Sequence, residues 1–201
     1  MSLTKHITLF TYLACQLAAG PLQSQTISRD IFVDVLRDGG FIIVMRHASS
    51  PRQPPEANAV NPDNIKRERQ LDESGRRSAT SMGEALRRLQ IPVVEVVSSP
   101  AYRALETARL IGFTDPSIIN ELSNEGMGAS GVADAAWLRI AIALPVPNGN
   151  RILITHGPNI SGAFPEYSQG MSEGEALVFD PRGMAGPIMI YRIRIDEWND
   201  L

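Results

Sequence analysis

Two short apolar runs constrain this chain more than anything else in it. Phe41-Ile42-Ile43-Val44-Met45 and Arg151-Ile152-Leu153-Ile154-Thr155 are each about one strand long and lack the alternation of a strand with a wet face. Strands of that kind are covered by helices on both sides. The segments around them supply the helices. Ser28 can cap a helix through Arg37, with Ile31, Phe32, Val35 and Leu36 on one face and Gly39-Gly40 as its stop. Asp72 can cap a second, whose Ala79, Met82, Leu86 and Leu89 recur at helical spacing. Ser99-Pro100 reads as the opening of a third, with proline at its first position. Val132 to Leu144 reads as a nearly all-round apolar helix.

Further strands are expected at Val93–Val97, Ile118–Ile119, Glu175–Phe179 and Pro187–Ile195. In the last, Tyr191, Ile193 and Ile195 alternate with Arg192 and Arg194, which suits a sheet edge. The pattern predicts an α/β fold, a three-layer sandwich with a mostly parallel central sheet. With ~150 residues per domain as a guide, the span 28–201 is read as a single domain. Two stretches have no periodicity: residues 49–70, rich in Pro, Asn and charge, and residues 120–131, a Gly- and Ser-containing loop. Long loops in compact domains are commonly functional.

Residues 1–24 read as a signal peptide. Lys5 and His6 form a short positive start, and Ile7 to Ala19 is a mostly apolar run of h-region length. That run falls short of the ~20 residues needed to span a bilayer, so no stable membrane insertion is expected. Pro21 disfavours cleavage directly after Ala18-Ala19-Gly20, which moves the expected cut to the bond after Ser24. The competing readings are a buried N-terminal helix and a lipid anchor on Cys15, although Tyr12-Leu13-Ala14-Cys15 makes a poor lipobox. Cleavage after Ser24 would remove Cys15 and His6. A cysteine-free product suits an oxidising periplasm or secretion, and its histidines would be His47 and His156.

Composition narrows the chemistry. A formal net charge of -3 argues against nucleic acid and anionic membrane as partners. No G-x-x-x-x-G-K loop is present, which disfavours a P-loop hydrolase. One cysteine and three histidines are too few for a zinc cluster, so no metal and no cofactor are expected. Of the 19 basic residues only Lys5 and Lys66 are lysines, which leaves Schiff-base chemistry to Lys66 in a polar stretch.

His47 and His156 each sit just past the end of a strand that reads as buried. In open α/β sheets, ligands bind beyond the carboxyl ends of the strands. If the two strands are neighbours, both imidazoles meet over that edge. Arg46 precedes His47, and Arg103 falls in the first turn of a helix that follows another strand, where free N–H groups and the dipole favour anions. Guanidinium forks grip phosphate oxygens. Two imidazoles, two arginines and no metal fit phosphoryl transfer through a covalent phosphohistidine.

Four motifs in order carry a resemblance: Arg46-His47-Ala48, Leu71-Asp-Glu-Ser-Gly75, Ser98-Ser-Pro-Ala-Tyr-Arg103-Ala-Leu-Glu-Thr107-Ala, and Thr155-His156-Gly157. Together they resemble the histidine phosphatase superfamily, which has the phosphoglycerate mutase-like fold, and the likeness runs from about residue 39 to 162. The family usually has Arg-His-Gly; here Ala48 replaces the glycine, which close packing tolerates unless that position needs positive φ.

The resemblance implies His47 as nucleophile, with Arg46, Arg103 and His156 holding phosphoryl oxygens and Arg69 as a further contact from the long loop. It implies a general acid at Glu125 or Glu121, although the family's spacing is not reproduced there; Glu173 and Glu175, near the end of the sheet, are the remoter candidates for that acid. The implied activity is metal-independent hydrolysis of a small phosphomonoester, and a cell-envelope sugar phosphate is one substrate the family suggests. The alternatives are a phosphoglycerate mutase-type phosphotransferase and a phospho-ligand binding module with little activity.

If the export reading holds, protein purified from its native host begins near Gln25 on N-terminal sequencing. A chain beginning at Met1 or Ser2 contradicts it.

Overall fold

The computed structural model describes residues 27–123 and 130–201. The expected signal segment and Glu125 lie outside them. In chain order the elements are α1 (Arg29–Asp38), β1 (Ile42–Arg46), α2 (Glu73–Arg88), β2 (Val93–Ser98), α3 (Tyr102–Ile111) and β3 (Ser117–Ile118). Then follow α4 (Ser130–Ala141), β4 (Asn150–Thr155), α5 (Gly157–Ala163), β5 (Ala176–Asp180) and β6 (Ile188–Ile193). Short 3-10 turns add Ala57–Ala59, Asn120–Leu122 and Glu197–Asp200.

The strands form one six-stranded sheet in the order β3-β2-β4-β1-β5-β6. β3, β2, β4 and β1 are mutually parallel, whereas β5 runs antiparallel to both β1 and β6. Alternation along β1 sorts the layers. Ile43 and Met45 enter a core with Phe32, Leu36, Met82, Leu86 and Ile111, while Ile42 and Val44 enter the opposite core with Leu138, Ile160 and Phe164. Each such fully buried side chain contributes about 1.5–3 kcal/mol relative to exposure. The expected three-layer architecture is the observed one. No helix among the described residues is long and apolar enough to cross a membrane.

The pairing that matters for function is β1 with β4. Their parallel register sets Arg46 opposite Thr155, and the ladder continues one bond further, from His47 N–H to the Thr155 carbonyl at 3.0 Å. His47 and His156 therefore leave the same end of adjacent central strands.

Three local expectations are corrected. Ile31 is 53% exposed, and α1 instead buries Phe32, Val33 and Leu36. The stacking of Phe32 on Tyr191, ring centroids 4.0 Å apart, fixes that rotation. α3 begins at Tyr102 with Ala101 as its cap residue, two residues after Pro100. Ser99 Oγ accepts from Ala101 N–H at 3.2 Å, holding the preceding turn out of the helix. Finally, α5 was not expected. It is seven residues long and rich in glycine, and its opening Gly157-Pro158 reads as a turn in sequence even though proline suits a first helical turn.

At the start of α2, Asp72 Oδ1 accepts from Gly75 N–H at 2.7 Å and Asp72 Oδ2 from Ser49 Oγ at 2.7 Å. The Ser49 carbonyl in turn accepts from Asp72 N–H at 3.1 Å. A Cβ on Gly75 would lie 2.2 Å from the Ser49 carbonyl oxygen, so glycine is what lets the chain leaving His47 rest on this helix. Gly75→Ala is expected to destabilise the protein by about 1–3 kcal/mol in urea unfolding. Gly162→Ala, whose new Cβ would meet only the Ala135 Cβ at 3.4 Å, is expected to be close to neutral. Equal stabilities would contradict the packing argument.

Candidate active site

Residues brought to the carboxyl ends of β1, β2 and β4 form a small buried polar cluster. His47 is 3% exposed, His156 1% and Arg103 8%. The imidazole centroids are 5.3 Å apart, with the rings steeply inclined. Arg103, from the first turn of α3, reaches both rings. Its Nε lies 3.1 Å from His47 Nε2 and its Nη2 lies 3.0 Å from His156 Nδ1.

These contacts fix the tautomers, because a guanidinium can only donate and a carbonyl can only accept. His47 Nδ1 is 2.8 Å from the Ala48 carbonyl, so Nδ1 carries the proton and Nε2 presents a lone pair to Arg103. His156 has the reverse arrangement. Its Nδ1 accepts from Arg103, and its Nε2–H donates to Ser99 Oγ at 2.8 Å.

Burial lowers the pKa of His47 from 6.5 to about 3, against the hydrogen bond to Ala48, which raises it; Arg103, Arg46 and Arg69 lower it further. Burial likewise takes His156 to about 2, reinforced chiefly by Arg103. For both rings, removal from water outweighs the charge of the arginines as the cause.

The backbone here is equally fastened. Ala48 N–H donates to Thr107 Oγ1 at 3.1 Å, the Thr107 hydroxyl donates to the Arg103 carbonyl at 2.8 Å, and Gly174 N–H donates to the His47 carbonyl at 2.9 Å. Ala48 is fully buried and is not among the residues with positive φ, so the departure from Arg-His-Gly introduces no backbone strain.

Arg46 and Arg69 converge from the side. Arg46 Nη2 is 2.8 Å from Glu173 Oε1, and Arg46 Nη1 donates to the Met171 carbonyl at 3.2 Å. Arg69 leaves the long loop and donates back to the Pro51 and Ser50 carbonyls at 2.6 and 2.9 Å; its Nη2 is also 3.8 Å from Glu173 Oε1.

The expected anion site at the amino end of α3 is occupied differently. Tyr102 N–H donates to Glu68 Oε2 at 2.8 Å, so the protein's own carboxylate takes that donor. Glu121 lies exposed in the 3-10 turn before the break in the described chain, with its carbonyl 3.4 Å from Asn159 Nδ2.

Sequence reasoning brought out His47, His156, Arg46, Arg69 and Arg103. It missed Ser99 and Thr107 as partners, although both stand in the quoted motifs. It named Glu173 only as a remote candidate for the acid and missed it as a partner of Arg46, which no motif marks, while Glu175 turns away from the cluster, to Arg192 Nε at 2.5 Å.

Residues 42–128 match the model of the histidine phosphatase superfamily (branch 1). No curated protein matches the sequence significantly. Among solved structures, the chain is similar to the protein histidine phosphatase SixA complexed with tungstate, at 14% identity and a TM-score of 0.56, over 78% of this chain and 98% of that one. It is also similar to a putative phosphohistidine phosphatase SixA from Nakamurella multipartitia, at 19% identity and a TM-score of 0.54, over 77% and 95%. A mutant phosphoserine phosphatase from Entamoeba histolytica in complex with phosphoserine matches at 15% identity and a TM-score of 0.54, over 76% and 95%. At these identities the likeness establishes the fold.

The two depressed histidines tie stability to pH. In the folded protein they stay neutral, whereas the unfolded chain takes up two protons as pH falls through about 6.5. Their contribution is therefore complete above that pH and shrinks below it. The expected slope below about pH 5.5 approaches ~2.7 kcal/mol per pH unit. Urea unfolding checks this: a His47→Asn/His156→Asn double variant should lose most of that slope, and an unchanged slope would contradict the burial account.

Proposed function

We propose that this chain, whose residues 42–128 match the histidine phosphatase superfamily model, hydrolyses phosphomonoesters through a phosphohistidine on His47. Phosphoryl chemistry follows from the family. The covalent route and the choice of water as acceptor are our reading, and the observation that carries it is the fixed tautomer of His47. With Nδ1–H tied to the Ala48 carbonyl, the lone pair of Nε2 faces the Arg103 guanidinium in a buried cluster.

Such a nitrogen needs no deprotonation before it attacks; its lone pair is freed when the Arg103 Nε–H that it accepts in the ligand-free site turns to a phosphoryl oxygen. In the first step, the Nε2 lone pair forms the P–N bond as the ester P–O bond breaks, and the leaving oxygen takes a proton from an acid. Arg103, Arg46 and His156 are assigned to the phosphoryl oxygens, where fixed positive charge stabilises the transition state. For His156 to donate from Nδ1, its ring proton moves to that nitrogen, and the Ser99 hydroxyl can then donate to Nε2. In the second step, water attacks phosphorus, its proton passes to the acid's conjugate base, and the P–N bond breaks. Orthophosphate leaves and Nε2 regains its lone pair.

Glu121 and Glu125 are proposed as alternatives for the acid; both fall in the expected 120–131 loop, and Glu121 is exposed in its 3-10 turn. SixA, named a protein histidine phosphatase, was solved with tungstate, and the Entamoeba histolytica phosphatase with phosphoserine, which supports a small phosphorylated substrate. The signal-like residues 1–24 support a substrate outside the cytoplasm, a cell-envelope sugar phosphate among them.

Purified protein is expected to release nitrophenol from p-nitrophenyl phosphate in the presence of chelator. His47→Ala should lower kcat on the order of 10³-fold or more. Full activity in that variant contradicts the nucleophile. Binding without turnover would indicate a phospho-ligand module, and transfer to an added alcohol in preference to water a phosphotransferase. With alkyl phosphates as substrates, one of Glu121→Gln and Glu125→Gln should cost about 10²–10⁴ in kcat, the range of a general acid.

A further inference from the structure

Glu173 lies in the loop between α5 and β5, far in sequence from the residues it touches. β5 runs antiparallel to β1, with Ala176 opposite Met45, so the residues just before β5 arrive where β1 delivers Arg46 and His47. Glu173 uses both carboxylate oxygens there. Oε1 accepts from Arg46 Nη2 at 2.8 Å and lies 3.8 Å from Arg69 Nη2, while Oε2 accepts from Ser50 N–H at 3.1 Å. The side chain is 25% exposed, so these contacts are only partly screened by water.

One carboxylate thus joins three pieces of the site: the end of β1, the start of the long loop and the arginine at that loop's far end. The contacts to Met171 and Glu173 take two of the five N–H groups of Arg46. They leave its Nε edge against Gly157, where an added Cβ would lie 3.8 Å from Nε, directly beside His156. Among the described residues, Arg46 is thereby held over the start of α5 with donors left for an anion. Arg69 stands farther from this carboxylate, at 3.8 Å, and is bonded to the Pro51 and Ser50 carbonyls.

We propose that Glu173 is a positioning residue for phosphoryl binding, aiming the Arg46 guanidinium at a phosphoryl group bound beside His47 and His156. The proposal rests on the phosphatase reading above and adds a residue to it. Glu173 also reduces the positive charge that the arginines present, so the same carboxylate could in principle act as a rival anion. The two roles predict opposite effects of its removal.

The test is calorimetric titration with orthophosphate, alongside KM and kcat for p-nitrophenyl phosphate, on wild type, Glu173→Gln, Glu173→Ala, Arg46→Ala and the Glu173→Ala/Arg46→Ala double variant. A positioning role predicts that Glu173→Ala weakens orthophosphate binding about tenfold, the scale of one charge-assisted hydrogen bond. It predicts a rise in KM larger than the fall in kcat, and an intermediate Glu173→Gln, whose amide oxygen still accepts one N–H. Because the effect acts through Arg46, removing Glu173 in the Arg46→Ala background should add little. Tighter or unchanged binding in Glu173→Ala overturns the proposal, as does an undiminished loss in the Arg46→Ala background, which would mark a purely structural contact with the loop. A wild-type protein that binds no orthophosphate and turns over no ester refutes the phosphatase reading itself, and this proposal with it.

Discussion

A guanidinium lodged between two neutral imidazoles is the constraint on which the rest of the structure depends. Arg103 can donate to His47 Nε2 and to His156 Nδ1 only if neither nitrogen carries a proton. Each ring must then place its single proton on its other nitrogen, and the fold provides an acceptor for each, the Ala48 carbonyl and Ser99 Oγ. Burial supplies the energetic half of the same condition by penalising imidazolium. The β1–β4 register brings the rings together, and the α2 amino end holds the chain that leaves His47.

The long loop is the second tier of this organisation. It is irregular in backbone but heavily fastened to α3, the helix that carries Arg103. Glu106, 7% exposed, accepts from Leu71 N–H at 2.8 Å and from Asn61 Nδ2 at 3.0 Å. Tyr102 donates its hydroxyl to Asp63 at 2.5 Å, and burial together with that carboxylate pushes its pKa up to about 12. Glu68 closes the circuit at the Tyr102 N–H. Apolar burial is scarce in this loop, so hydrogen bonds and ion pairs define its path. Variation in those polar residues would reshape the rim of the site while leaving the two cores untouched.

The parts legible in the sequence were those governed by local or periodic physics. The unbroken apolar runs of β1 and β4 report burial on both faces, and from that follows the layered sheet. The histidines at equivalent strand ends follow from the same reading. Asp72 was legible as a cap because capping is local. What escaped depended on contacts distant in sequence. Glu173 reaches Arg46 only because β5 reverses direction. Ser99 looked like a helix start, but its hydroxyl is claimed by His156 across 57 positions of chain. α5 was hidden by glycine and proline, and the rotation of α1 by a ring stack with β6.

The most direct test of this account is the nitrogen-15 spectrum of the two imidazoles, followed from about pH 8 down to about pH 5. His47 should appear as the neutral Nδ1–H form and His156 as the neutral Nε2–H form throughout. A ring that titrates with a midpoint near ~6.5, or that shows the opposite tautomer, would mean that Arg103 does not bridge the pair as described.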